Sequence, residues 1–396
     1  MHRAIALVLC AMVSGLGSSA WAETEAAPDP IAALVNRLDL ERYKETIKGL
    51  TQFGDRRQGT DRNRAAIDWI EARLRSYGCS TERFAYQYPP PAGTPIPPRA
   101  APASAEIAVG GGRKRGVRIP TGVNDNPEAQ PNLALRQLNS QASTFGTREE
   151  VYCTKIGTDR PGEMYIVSAH MDGIGWGEAA NDDGSGTALV MELARVLSSP
   201  DVTTTRSIRF ILWNNEETGL NGADAYVRAR ASLQGKEDPA GSGKYPEPQW
   251  MGMIQHDMVL FDHGMPRPDG TVAPDQRPEA DINVEYQTNS KQAGPSEALA
   301  QALEQANEAY ATDYPAVVGS HMTNTDSTPF QDIAPAISVR ENERGTQIGN
   351  GWDPHWHQPT DLYATFSDKD FRLGLNAAQT TLAAVARLAG ATRSNK

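Results

Sequence analysis

Five short stretches of the 396-residue chain gather imidazole and carboxylate groups that could do chemistry. They are SAHMDG with His170 and Asp172, NDDGSGTA with Asp182 and Asp183, NNEETGL with Glu216 and Glu217, QHDMV with Asp257, and HQPTD with His357 and Asp361. Taken singly, each has an ordinary structural reading. His-x-Asp is commonly a local hydrogen bond, an EE pair a solvated surface, and Asp257 a loop carboxylate. His357 can pack on Trp352 or Trp356. Taken together the ordinary readings weaken, because apolar strand-like runs flank all five in order. An acidic doublet beside a buried strand is costly unless a cation compensates it. Imidazole and carboxylate ligands without a thiolate suit a catalytic zinc site rather than a closed structural one.

Competing signatures are missing. There is no G-x-S-x-G elbow, no phosphate-binding G-x-x-x-x-G-K-[ST], no G-x-G-x-x-G and no H-E-x-x-H. Gly110-Gly111-Gly112 precedes Arg-Lys-Arg, but it sits in low-complexity sequence and reads as a solvated loop. The net charge of -11 implies no basic face for nucleic acid.

The elements that must position these groups follow from periodicity. Residues 31–77 read as helical, with Ile67, Ile70 and Leu74 spaced by three and four, Asp61 as N-cap and Gly78 as the stop. CSTERFAYQ (79–87) alternates like a strand. Residues around 88–131 are Pro- and Gly-rich and read as a surface excursion. MYIVSA (164–169), RSIRFILWN (206–214) and PAISVR (335–340) read as buried strands. Between the first two, Leu189, Leu193, Val196 and Leu197 share one helical face, and 368–389 reads as a closing amphipathic helix. Residues 231–250 read as a loop insertion. Strands alternating with helices predict an α/β fold, a mixed and mostly parallel sheet with helices on both faces. Binding groups in such sheets collect beyond the carboxyl ends of the strands, where these residues stand.

The first 22 residues have the pattern of a secretory signal peptide: His2 and Arg3, an apolar run, then Ala20-Trp21-Ala22 as cleavage site. The apolar run is short for a membrane span, so stable membrane insertion after cleavage is not expected. A periplasmic or secreted location and one domain over 23–396 are the expectation. The remaining cysteines, Cys79 and Cys153, suggest one disulfide in an oxidising compartment, with two buried free thiols as the alternative.

The five motifs in this order resemble the di-zinc aminopeptidases of metallopeptidase family twenty-eight, from about Leu38 to the C-terminus. FGDRRQGT (53–60) is similar to that family's early Arg-containing loop. The resemblance implies the zinc-exopeptidase fold and two zinc ions bridged by Asp182. His170 and Asp257 would complete one ion, Glu217 and His357 the other, and Glu216 would be the general base. It implies that Asp172 orients the His170 ring, that Asp361 does similar supporting work near His357, and that Asp183 is the structural partner of Asp182 across a cis peptide bond. It implies peptides with a free N-terminus as substrates. It also implies that Cys79 and Cys153 lie on neighbouring strands and pair.

Two departures from the family's pattern are plain. Trp356 stands where several members have a Tyr before the last His ligand, which leaves the oxyanion helper open. The Ser-Asp-His-x-x-Phe segment appears as Thr325-Asp326-Ser327-Thr328-Pro329-Phe330, with Ser327 replacing the His. His321 and His355 are spare. Two other activities share the fold. A glutaminyl-peptide cyclotransferase would use one zinc, and a carboxypeptidase for acidic termini would want an Arg-rich pocket, for which Arg340 and Arg344 are the candidates. A non-catalytic binding domain would be expected to lack ligands or base, and here all six are present.

Overall fold

The computed structural model describes residues 29–94, 122–262, 282–320, 325–341 and 353–394. The signal-peptide segment and most of the Pro- and Gly-rich excursion, like His321 and Arg344, lie outside the described residues.

Three helices, α1 (Pro30–Val35), α2 (Leu40–Thr51) and α3 (Asp61–Ser76), open the described chain. Thr60, not Asp61, caps α3, because its hydroxyl accepts the Asn63 N–H and leaves Asp61 inside the first turn. Gly78 follows the helix at φ +81°, a backbone that favours glycine. Then come β1 (Thr81–Tyr88), α4 (Leu133–Asn139), β2 (Gly146–Lys155), β3 (Arg160–His170), α5 (Gly184–Leu197) and β4 (Val202–Thr204). β5 (Arg206–Trp213), α6 (Asn221–Arg230), β6 (Gln249–His256), β7 (Ile282–Tyr286), α7 (Ala293–Tyr310) and β8 (Ala316–Gly319) follow. β9 (Ala336–Arg340), α8 (Asp368–Ala389) and β10 (Ala391–Arg393) complete the set. The segment read as a loop insertion contains a short 3-10 turn, Ala231–Leu233, and ends inside β6.

Eight strands form one sheet in the order β1-β2-β5-β3-β6-β9-β7-β8. Its centre, β5-β3-β6-β9, is parallel, while β1-β2, β2-β5 and β9-β7 are antiparallel. Successive residues of the central strands face opposite sides. Val167 and Ala169 of β3, with Phe210 and Leu212 of β5, enter the larger core with Leu189, Leu193 and Val196 of α5. Met164, Ile166, Ile211 and Trp213 enter the second core with Tyr226, Trp250 and Phe330. The sheet is therefore covered on both faces, as continuous apolar strands require. α5 is buried along almost its whole length, because α2 and α8 close over it.

Cys79 and Cys153 form a disulfide, their Cα atoms 5.7 Å apart. Cys79 stands two residues before β1 rather than on it, and Thr81 pairs with Cys153 in the β1-β2 register, so the cystine ties the end of α3 to β2, the strand next to the sheet edge.

Candidate metal centre

The parallel strands deliver the reactive groups to one end of the sheet. His170 is the last residue of β3, Glu216 and Glu217 follow β5, and Asp257 is the first residue past β6. His170 Nδ1 lies 3.0 Å from the Asp172 carbonyl oxygen. A carbonyl only accepts, so that nitrogen carries a hydrogen and donates, and Nε2 faces the cavity. Nε2 stands 3.3 Å from Asp182 Oδ1 and 3.8 Å from Asp257 Oδ1. The other oxygen of the same carboxylate, Asp182 Oδ2, lies 3.1 Å from His357 Nε2, which is 2.8 Å from Glu217 Oε2. One carboxylate thus faces two imidazoles, one with each oxygen. Glu216 belongs to the same cluster: His170, Glu216 and Asp257 offer ligand atoms all within 4.8 Å of one another, as do His170, Asp182 and Glu217.

These groups line a cavity of about 240 Å³ together with Gly219, Leu220 and Trp356. The donor set fits zinc. Zinc bonds of about 2.0–2.1 Å set the edge of a tetrahedron near 3.3 Å, inside the 2.8–3.8 Å range of these contacts. Glu217 Oε1 and His357 Nδ1 are buried with no hydrogen-bond partner among the described residues. The side chains of His170 and Asp257 are at most 7% exposed. So many carboxylates in so little water need cations beside them.

The supporting groups depart in detail from expectation. Asp172 holds the His170 ring with its backbone carbonyl, while its carboxylate is 4.0 Å from Nδ1 and instead accepts the Glu216 N–H at 3.0 Å. It therefore shapes the loop carrying both glutamates. The Asp182–Asp183 peptide is cis. The Asp183 carboxylate points away from the cavity and accepts the N–H groups of His170, Gly186 and Met258, capping α5. Asp361 does not reach the His357 ring; it accepts the N–H groups of Asn181 and Asp182 at 2.8 and 3.1 Å. Trp356 stacks on His357 instead, ring centroids 4.1 Å apart. Buried Arg56, of the early Arg-containing loop, donates to the carbonyls of Met171, Glu178 and Ala179 and ties the loops beneath the cavity.

Two residues, Arg340, which the sequence offered for an Arg-rich pocket, and Asp326, make contacts with the site that the sequence did not show. Arg340 is fully buried, does not line the cavity, and donates to Asp257 Oδ2 at 3.1 Å. It is therefore no clamp for a substrate carboxylate. Asp326 is fully buried, and its charge acts on Glu216. These contacts carry no local sequence signal, because each partner is remote in sequence.

The electrostatics follow from this crowding. Burial raises the Glu216 carboxyl well above its usual range; His170 opposes, and Asp326, Glu217 and Asp257 add to the rise. Burial likewise pushes Glu217 up to about 7, against the pull of His357. Burial works against charge on both histidines, but nearby carboxylates win. Glu216 and Asp182 raise His170 well above the ordinary imidazole value, and Glu217 and Asp182 raise His357 to about 11. Asp182 goes the other way: burial resists its ionisation, but hydrogen bonds from His170 and His357 hold it at about 2.

Carboxylates and imidazoles converging beyond the ends of parallel strands are an arrangement suited to metal-assisted hydrolysis. Residues 151–381 match Peptidase family M28, and the chain belongs to that family. Over 121 residues it is 34% identical to Aminopeptidase YwaD of Bacillus subtilis, covering 29% of this chain. The match spans only 25% of that relative's length. Among solved structures, an aminopeptidase from Aneurinibacillus sp. strain AM-1 superposes with a TM-score of 0.59 at 18% identity, over 92% of this chain and 97% of that one. A Porphyromonas gingivalis glutaminyl cyclase does so with a TM-score of 0.55 at 17% identity, over 88% and 98%. At these identities both speak for the fold alone.

Proposed function

We propose that this protein is an exported zinc aminopeptidase that hydrolyses the N-terminal bond of peptides, with one peptidase domain over residues 23–396. The observation that carries the reading is Asp182, whose two carboxylate oxygens each face a different imidazole Nε2. His170, Asp182 and Asp257 would hold one zinc ion, and Asp182, Glu217 and His357 a second. Zinc bound there would supply Lewis-acid polarisation of the scissile carbonyl and acidify a water. Glu216, in the same cavity, has the buried carboxyl suited to proton transfer: it accepts a proton from the attacking water and returns it to the leaving amine. Asp172 fixes the Glu216 backbone, so the base does not drift from the reacting atoms. Zinc held there would also take a substrate's free α-amine, whose lone pair acetylation withdraws. Export rests on the pattern of residues 1–22 together with the Cys79–Cys153 disulfide.

The test is hydrolysis of aminoacyl-anilides with free and acetylated amines, by zinc-loaded wild type and Glu216→Gln. Free substrates should be cleaved and acetylated ones spared. The variant should lose about 10²- to 10⁴-fold in kcat while keeping its zinc. A variant as fast as wild type would refute the role of Glu216. Ammonia release from N-terminal glutaminyl peptides would instead mark a cyclotransferase, and loss of C-terminal residues a carboxypeptidase.

A further inference from the structure

We propose that Arg340 is a positioning residue of the metal centre, holding Asp257 by one carboxylate oxygen so that only the other is offered to a cation. The proposal rests on the di-zinc reading of the cavity. Arg340 ends β9, the strand beside β6, and Asp257 is the first residue beyond β6. β9 grips that aspartate twice. The Asp257 N–H donates to the Val339 carbonyl at 3.2 Å, and Arg340 Nη2 donates to Oδ2 at 3.1 Å. Oδ1 is left facing His170 Nε2 at 3.8 Å.

The guanidinium is itself fixed. Its Nε donates to Ser338 Oγ at 3.1 Å and lies 3.5 Å from Glu285 Oε2, on the neighbouring antiparallel strand β7. Arg340 is 1% exposed, so its charge is weakly screened where it meets Asp257. A carboxylate with one oxygen held this way cannot rotate to chelate an ion with both. Rigid orientation of a ligand by a buried partner is the device that tunes metal sites from outside the ligand set. Lys cannot copy it, because an ammonium is a single point charge without the planar fork that meets Asp257, Ser338 and Glu285 together.

Zinc should be titrated into wild type, Arg340→Met and Arg340→Lys, and the visible spectra of the cobalt-loaded proteins compared. Wild type should take two zinc ions per chain. Arg340→Met should bind one of them about 10- to 100-fold more weakly. Its cobalt spectrum should change as Asp257 becomes free to engage both oxygens. Arg340→Lys should recover part of the affinity but not the wild-type spectrum, and it decides the matter alone if the Met variant does not fold. Wild-type affinity together with an unchanged spectrum in the folded variant would overturn the proposal. If wild type itself binds no zinc, the di-zinc reading fails and the proposal falls with it.

Discussion

Zinc held as proposed would compete with protons for the same atoms of this cavity, so loading the metal-free protein should release protons. Nearby carboxylates raise His170 well above the ordinary imidazole value and His357 to about 11, so at pH 7 His357 carries a proton on the nitrogen that faces the cavity. Glu217, pushed up to about 7, is half protonated there. Asp182, held at about 2, has none to give. His357 should therefore release about one proton and Glu217 about half of one at pH 7, and His170 and Glu216, both raised, add to these, so loading should release more than one proton per chain. Groups whose pKa is raised hold their protons below that value, so overall zinc affinity must rise with pH. By linkage it rises by more than about one power of ten per pH unit around neutrality. Calorimetric titration in buffers of different ionisation enthalpy counts the protons directly. Release of less than one proton per chain, or loading independent of pH between 6 and 8, would refute this account of the site's charges.

One glycine and one disulfide give two structural tests. Gly175 has φ +97°, and a Cβ added there would stand 2.3 Å from the His357 carbonyl carbon. Gly175→Ala should displace His357, cut zinc content from two ions to one and cost more than about 1 kcal/mol of stability, readable by metal analysis and denaturant unfolding. The Cys79–Cys153 bridge joins residues 74 apart in sequence. Chain entropy predicts that reducing it costs about 4 kcal/mol, so the midpoint of urea unfolding should fall on adding a reductant; an unchanged midpoint would contradict the pairing.

His170, Asp182, Glu216, Glu217 and Asp257 were legible because each stands next to an apolar run whose type can be read locally, whereas His357 lies in a loop with no strand beside it. MYIVSA and RSIRFILWN became β3 and β5, and the helix of Leu189 and Leu193 became α5. The edge of the sheet was not legible. β7 and β8 have only five and four residues, too few to show a period, and α7 begins without a side-chain cap. Supporting contacts escaped for another reason. Two-residue spacing brings Asp172 to His170, yet it does not say that the carbonyl takes the ring while the carboxylate takes the Glu216 N–H. Asp361 reaches back 179 positions to the Asp182 N–H, and Arg340 reaches back 83 to Asp257. The first pair is made by the packing of two loops and the second by strand order, and no local pattern encodes either. A buried arginine and a pocket arginine look alike until the neighbouring strand is known.

The central claim is that Asp182 spans two metal ions, and zinc content tests it most directly. Wild type and Asp182→Asn should be equilibrated with buffered zinc, freed of excess and analysed for metal per chain, with circular dichroism as the check on folding. Wild type should hold two zinc ions, and a folded Asp182→Asn protein should lose at least one. One ion or none in wild type, or two retained by the variant, would contradict it.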